Sequence, residues 1–434
     1  MIGMSKNNGM KRRSFLGAGA GALTGAVFSG PISANARVIG ANDRINIGVI
    51  GCGGRSGDLM NVMAGFMKQE NFTFTALCDV WKPNLEKRAA WVKEKTGKDP
   101  KTFSRYNDLL ELDEVDAVMI TTPDHGHSPI LIAASDMGKD VFCEKPMAMT
   151  MEEANGAVEA VRRNKTICQI GTQRRSDGKY ITAAKYIQGG NLGKIITVDL
   201  KWNDNGPRWD RDYNDVRKED VDWEGYLMHT KKYPFHPRRY RCWHLYRDYS
   251  IGTIGLLGAH CTDLVTWYMK APYPESAVAF GDRIVWKNRE HYDTIIATYK
   301  YPGFIVTCEH RLCNNSMRSE VVFYGTQGIL TSEIISSEGH VDPKRLEPTG
   351  TTYSPSPLVQ QETNNKPAEI PLQPDPSGMD HNLNWIRAMR ERRDPNATVE
   401  NGYSHSVIAM MGHMAADIRK AVVYDPVKRT IIEA

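Results

Sequence analysis

The chain has no Cys-x-x-Cys pair, no Gly-x-Ser-x-Gly turn, no internal repeat and, beyond residue 30, no apolar run of membrane-spanning length. The first two absences remove the usual signs of a zinc or dithiol site and of a serine-hydrolase nucleophile. Eight cysteines are scattered: Cys52, Cys78, Cys143, Cys168, Cys242, Cys261, Cys308 and Cys313. Four lie in apolar strand contexts or a glycine turn, where Cys is a small buried hydrophobe, so free thiols are expected. His125 and His127 lack a nearby third ligand of the right kind, and no metal is expected. Excess charge is also missing. Lys and Arg number 55 against 51 Asp and Glu, and Lys6, Lys11, Arg12 and Arg13 account for the surplus of four within the first 36 residues. The remainder is neutral, which gives no electrostatic reason to expect nucleic acid or an anionic membrane surface.

What is present begins at the N-terminus. Lys11-Arg12-Arg13-Ser14-Phe15-Leu16 leads into a Gly/Ala-rich apolar stretch, and Ala34-Asn35-Ala36 offers small residues for cleavage. This resembles a twin-arginine signal peptide over residues 1–36, and implies periplasmic localisation with no stable membrane insertion after cleavage. The stretch has only about 15 apolar-leaning positions, whereas a spanning helix needs roughly 20.

Removing those 36 residues from 434 leaves 398, enough for two domains. From Arg44 to Gly171 short apolar strands alternate with helical patterns, which predicts a doubly wound parallel sheet. Strands are expected over Ile45–Ile50, Phe72–Cys78, Val115–Thr121, Asp140–Cys143 and Thr166–Ile170. From Ser176 onward, one helix near Lys179–Gln188 is followed by alternating strand-like runs, which suits a mainly antiparallel open sheet with one covered face. The expected division is therefore an N-terminal Rossmann domain over 37–175 and a C-terminal α/β domain over 176–434. The latter includes a surface loop over 348–376 and terminal helices over 379–422.

Three segments carry chemistry. In Gly51-Cys52-Gly53-Gly54-Arg55-Ser56-Gly57 the first glycine permits a tight turn after a strand, and the second lets backbone approach a pyrophosphate. Ser56 stands where the third glycine is usual, with Gly57 one place late. Asp79 ends the second strand, where it suits a ribose 2′-hydroxyl and repels a 2′-phosphate, so NAD is expected over NADP. Thr122-Pro123-Asp124-His125-Gly126-His127 follows another strand at the carboxyl edge, where loops meet ligand, while Asp124 or Ser128 also suits a helix cap. Glu144-Lys145-Pro146 ends the next strand and places a cation that can favour a substrate alkoxide.

These segments, with Gly171-Thr172-Gln173-Arg174-Arg175, resemble in order and spacing the Gfo/Idh/MocA oxidoreductases. The resemblance implies a Rossmann domain, a C-terminal α/β domain and NAD- or NADP-dependent oxidation or reduction of a sugar or cyclitol. It places Lys145 on the family's catalytic lysine, and Gln173 and Arg174 in the segment joining the domains. Gly258-Ala259-His260-Cys261-Thr262-Asp263 resembles the helix carrying the catalytic histidine, so His260 is expected as base and Asp263 as a substrate contact. Many family members have an aspartate four residues earlier. This chain has Leu256, which makes Tyr246, Asp248 or Tyr249 the nearest replacements, with Tyr246 preferred.

The run from Arg238 to Tyr249 mixes donors with flat rings, a combination suited to sugars, and singles out Arg241, Trp243 and Tyr246. The expectation is an NAD-dependent oxidoreductase of a sugar or glycoside hydroxyl, forming a homo-oligomeric dimer or tetramer. Export implies a cofactor that stays bound and is restored in place. A redox-neutral NAD-dependent glycosidase is the alternative, with a non-catalytic sugar-binding protein behind it.

Overall fold

The computed structural model describes residues 43–316, 319–332, 334–338, 359–361 and 367–434. The expected leader and most of the 348–376 segment lie outside them.

Six parallel strands form the first sheet: β1 (Ile45–Ile50), β2 (Phe72–Cys78), β3 (Lys101–Phe103), β4 (Ala117–Ile120), β5 (Asp140–Cys143) and β6 (Cys168–Ile170). Their order is β3-β2-β1-β4-β5-β6. The direction of winding reverses between β1 and β4, and loops leaving their carboxyl ends diverge to open a crevice. All four residues of β4 and of β5 are buried, because helices cover both faces. Local signals set the helix ends. Thr150 and Glu153 form a reciprocal capping box before Met151–Asn164, and Gly97 ends Lys82–Thr96 in a left-handed conformation.

The second sheet has ten strands: β7 (Ile195–Trp202), β8 (Ser276–Asp282), β9 (Thr294–Tyr301), β10 (Phe304–Arg311), β11 (Ser319–Gly325), β12 (Gly328–Leu330), β13 (Ile334–Ser336), β14 (Glu369–Pro371), β15 (Val422–Asp425) and β16 (Thr430–Glu433). Its order is β14-β13-β12-β11-β7-β10-β9-β8-β15-β16. Every pairing is antiparallel except β7 with β10. One face is covered by the helices Gly178–Gln188, Ala259–Tyr268 and Val399–Ile418. Helix His381–Glu391 returns to the first sheet, where Trp385 is fully buried and packs on Phe142. A single buried cluster runs from Ile50 and Val118 through Ile254 to Val407, so the two halves share a core. That shared core fixes the walls of the crevice relative to each other.

Several short elements escape the sequence pattern. β3 is an exposed edge strand with no burial alternation to read. The hairpin β15–β16 and the 359–371 pieces are likewise brief. Among the described residues no helix is long and apolar enough to cross a membrane. All eight cysteines are free thiols, and Cys308 contacts His310 rather than Cys313.

Candidate functional site

The crevice is a cleft of about 990 Å³ at the carboxyl ends of β1, β2, β4 and β5, roofed by residues of the second domain. Its floor is the turn after β1. Gly51 has φ 91°, and a Cβ there would stand 2.8 Å from the backbone of Thr121. No other residue type fits that turn. A Cβ on Gly54 would meet nothing within 4 Å, and one on Gly53 only the Asn84 side chain at 3.8 Å. The helix Gly54–Ala64 has no side-chain cap and no acid in its first turn, leaving its N–H groups for an anion. Arg55 adds a cation at the same place and pairs with Glu144 at 2.6 Å. This open, donor-rich cradle fits the pyrophosphate of a dinucleotide. Ser56 does not line it. Its hydroxyl donates to the Gly53 carbonyl at 2.8 Å, and Gly57 packs so tightly that a Cβ would meet the Arg88 guanidinium at 2.5 Å. The late glycine thus takes the close-packing role expected one position earlier.

Asp79 lines the cleft, with its carboxylate accepting from the Cys52 N–H at 2.6 Å and the Trp81 N–H at 2.7 Å. Burial pushes its pKa up to about 6. Thr122, Pro123, His125 and His127 line the next stretch. His127 Nδ1 lies 2.7 Å from the Pro146 carbonyl and Nε2 2.9 Å from that of Thr122, tying this loop to the one after β5. Asp124 is buried, accepts from the Ile251 N–H, and is pushed up to about 7 by burial.

Lys145, Gln173, Leu256 and His260 meet at the far end. The Lys145 ammonium donates to the Leu256 carbonyl at 2.5 Å. That carbonyl belongs to a π-helical turn, Ile254–Gly258, immediately ahead of His260. Such turns redirect carbonyls out of the usual helical ladder and cluster at functional sites. At position 256 the family's expected carboxylate is therefore replaced by a main-chain acceptor. Burial lowers the Lys145 pKa, opposed by Glu144 and Asp124. His260 stacks on Trp202 with ring centroids 6.1 Å apart, and its Nδ1 is buried without a partner. Burial, with Lys145, Arg174 and Arg55 nearby, holds this imidazole neutral, well below the ordinary histidine range.

Trp243 lines the same end, and so does His244, which the sequence reading does not single out. His244 is stacked between Trp243 at 3.6 Å and Trp209 at 5.0 Å, with Nδ1 buried and unpartnered. Burial and the charges of Arg211, Lys145 and Arg208 keep it neutral too. Two neutral imidazoles thus flank one ammonium. The only sequence signal for His244 is its place in an aromatic run; the sandwich needs Trp209, 35 positions away.

Three expected contacts lie elsewhere, and a fourth sits away from Lys145. Tyr246 does not line the cleft: it is buried, and its hydroxyl accepts from Arg238 at 2.9 Å. Asp263 is buried in an ion pair with Arg175, whose Nε lies 2.9 and 2.8 Å from its two carboxylate oxygens. Arg174 lies over Tyr180 and Trp202, behind the His260 backbone. Arg241 does line the cleft, but beside the end of β2, with its guanidinium 4.8 Å from the Trp81 ring. Arginines and aromatics in this segment largely satisfy one another, and that mutual pairing is invisible in sequence.

A family model described as "Oxidoreductase family, NAD-binding Rossmann fold" matches residues 45–172, and one described as "GFO/IDH/MocA C-terminal domain" matches residues 227–331. The chain is 38% identical over 112 residues to scyllo-inositol 2-dehydrogenase (NAD(+)) of Bacillus subtilis, covering 26% of this chain and 32% of that protein. It is 26% identical over 250 residues to a glycosyl hydrolase family 109 protein of a Shewanella species, covering 52% and 53% respectively. The chain thus spans a third to a half of the length of such curated relatives. In fold it is similar to a levoglucosan dehydrogenase solved with NADH, with TM-score 0.64 and 16% identity over 88% of this chain and 99% of that one. Matched in both its halves, the chain belongs to the Gfo/Idh/MocA family and carries that family's NAD-binding Rossmann fold.

Proposed function

We propose that the protein is an NAD-dependent oxidoreductase acting on a hydroxyl of a sugar or glycoside. The observation that carries this reading is the convergence of Lys145 and the neutral His260 on the far end of the cleft. NAD, when bound along the glycine turn, supplies the hydride acceptor. The chain's own residues handle the proton. His260 is uncharged at neutral pH and can accept the hydroxyl proton, while the Lys145 ammonium favours the alkoxide as it forms. Leu256 holds that ammonium through its carbonyl. Trp243 offers an apolar ring face beside them, suited to one face of a sugar.

A second reading, redox-neutral glycoside hydrolysis, draws support from the second neutral imidazole. Oxidation of a ring hydroxyl acidifies the neighbouring C–H, and its removal requires a further base. His244 lines the cleft in a form able to act. Similarity to a family 109 glycosyl hydrolase agrees with this chemistry.

Both readings include export by the twin-arginine route to the periplasm with a cofactor restored in place. They also include a homo-oligomer, for which Val278, Phe280, Ile296 and Ile305 on the open face of the second sheet are suited. The test uses purified protein, its absorbance scanned for bound dinucleotide, and glycosides supplied without added cofactor. A keto-glycoside with stoichiometric NADH supports oxidation and sinks the hydrolase. Aglycone release without net reduction does the opposite.

A further inference from the structure

Resting on the reading of a retained dinucleotide, we propose that the second domain completes the cofactor site, with residues 221–241 forming a cover over its adenosine half. In a Rossmann sheet that half lies at the carboxyl end of β2, beside the acidic residue, at the margin of the sheet. Here that margin is occupied. Val221 forms an antiparallel bridge with Trp81, two residues beyond Asp79, and the Asp222 N–H donates to the Val80 carbonyl at 2.8 Å. The second domain is thus stitched to the end of β2 by main-chain pairing.

Side chains fasten the same edge. Trp81, Val216 and Val221 are buried together, with Phe235 and Tyr240 packed against them. Tyr240 meets Trp81 edge to face at 5.9 Å, and the Arg241 guanidinium lies 4.8 Å from the same indole. Arg105, just past β3, pairs with Asp222, one of its bonds being 3.0 Å long. A separate anchor holds the loop after β4, where His125 Nε2 lies 2.7 Å from the Tyr226 carbonyl. Tyr226, Met228, Tyr240 and Arg241 line the cleft together with Asp79, Val80 and Arg105. A nucleotide seated there would be bounded by both domains, and its escape would require these contacts to separate. Slow dissociation follows from the time spent closed.

The test measures NADH release from the purified full chain, loaded with NADH and chased with excess NAD, following nicotinamide fluorescence. Tyr240→Ala removes the ring that packs on Trp81 and should speed release at least about tenfold, the scale of a lost aromatic anchor. Asp222→Asn keeps an acceptor for the Gly225 N–H while removing the charge opposite Arg105. It should speed release about two- to fivefold, the scale of a part-exposed ion pair, with high salt giving wild type the same gain. Melting curves near wild type establish that the variants fold. If Tyr240→Ala fails to fold, Asp222→Asn and the salt dependence decide. Release unchanged in folded variants overturns the cover. The ratio of rates tests the cover, whereas the wild-type rate tests retention. A leaky wild type with still leakier variants would sink retention and leave the cover standing.

Discussion

Lys145 and His260, like His244, have few partners of their own. Lys145 donates to one carbonyl and His260 Nδ1 has no partner, so each retains capacity for a substrate. Removing either should lower turnover by at least about a hundredfold, the usual scale for lost proton transfer. Steady-state kinetics of Lys145→Ala and His260→Ala would show it, and near-normal turnover in both would remove the assignment. Asp263 is the contrasting case. Its carboxylate is consumed by Arg175 in the interior. Asp263→Ala would strand a buried guanidinium and should cost about 3–5 kcal/mol in urea unfolding while leaving KM unchanged. A raised KM with unchanged stability would return Asp263 to the substrate. The difference between these residues was only partly legible in sequence. Lys145 and His260 follow strand and helix signals that fix their direction, whereas Asp263 and Tyr246 are decided by partners, Arg175 and Arg238, that spacing does not reveal.

Elements with strong periodicity were readable and those settled by long-range contact were not. β1, β2 and β5 stand where apolar runs place them. The bounds of β4 shrink, β3 and β15–β16 go unseen, and the π turn at Ile254–Gly258 leaves no mark in a pattern that reads as ordinary helix. That turn is also where the missing carboxylate is replaced by a carbonyl, so the most informative local departure was the least visible. The second sheet raises a different matter. Val278, Phe280, Ile296 and Ile305 alternate with buried neighbours on β8, β9 and β10, leaving Phe280 77% exposed. Contiguous exposed apolar side chains on an open sheet mark an association surface. Phe280→Glu combined with Ile296→Lys should convert the proposed oligomer to monomer in analytical ultracentrifugation, with the cleft unaffected. An unchanged sedimentation coefficient would move the oligomer interface elsewhere.

At the scale of the molecule, the interior holds an unusual number of neutral histidines, and they set its response to acid. Burial lowers His125, His291 and His381 to about 4, and His310, His405 and His413 to about 3. An unfolded histidine titrates near 6.5, so below that pH the unfolded chain takes up protons that the folded chain refuses. Stability from each is complete above about 6.5 and is lost as pH falls toward its folded value, by about 3 to 5 kcal/mol per group once the window is crossed. Asp79 and Asp124 act in the opposite sense. Their folded values, about 6 and about 7, lie above that of an unfolded aspartate, so protonating them as pH falls favours the fold. Two carboxylates oppose six imidazoles, and the imidazoles win below about pH 6. Thermal midpoints should therefore be highest between about pH 6 and 7 and fall steeply toward pH 4. His413 is the clearest single contributor, since both its ring nitrogens are buried without partners. His413→Phe removes one titrating group and both orphaned nitrogens while keeping a flat ring. It should raise the melting temperature at pH 5 more than at pH 8, and an equal shift at both would show that packing, not titration, sets the acid limit.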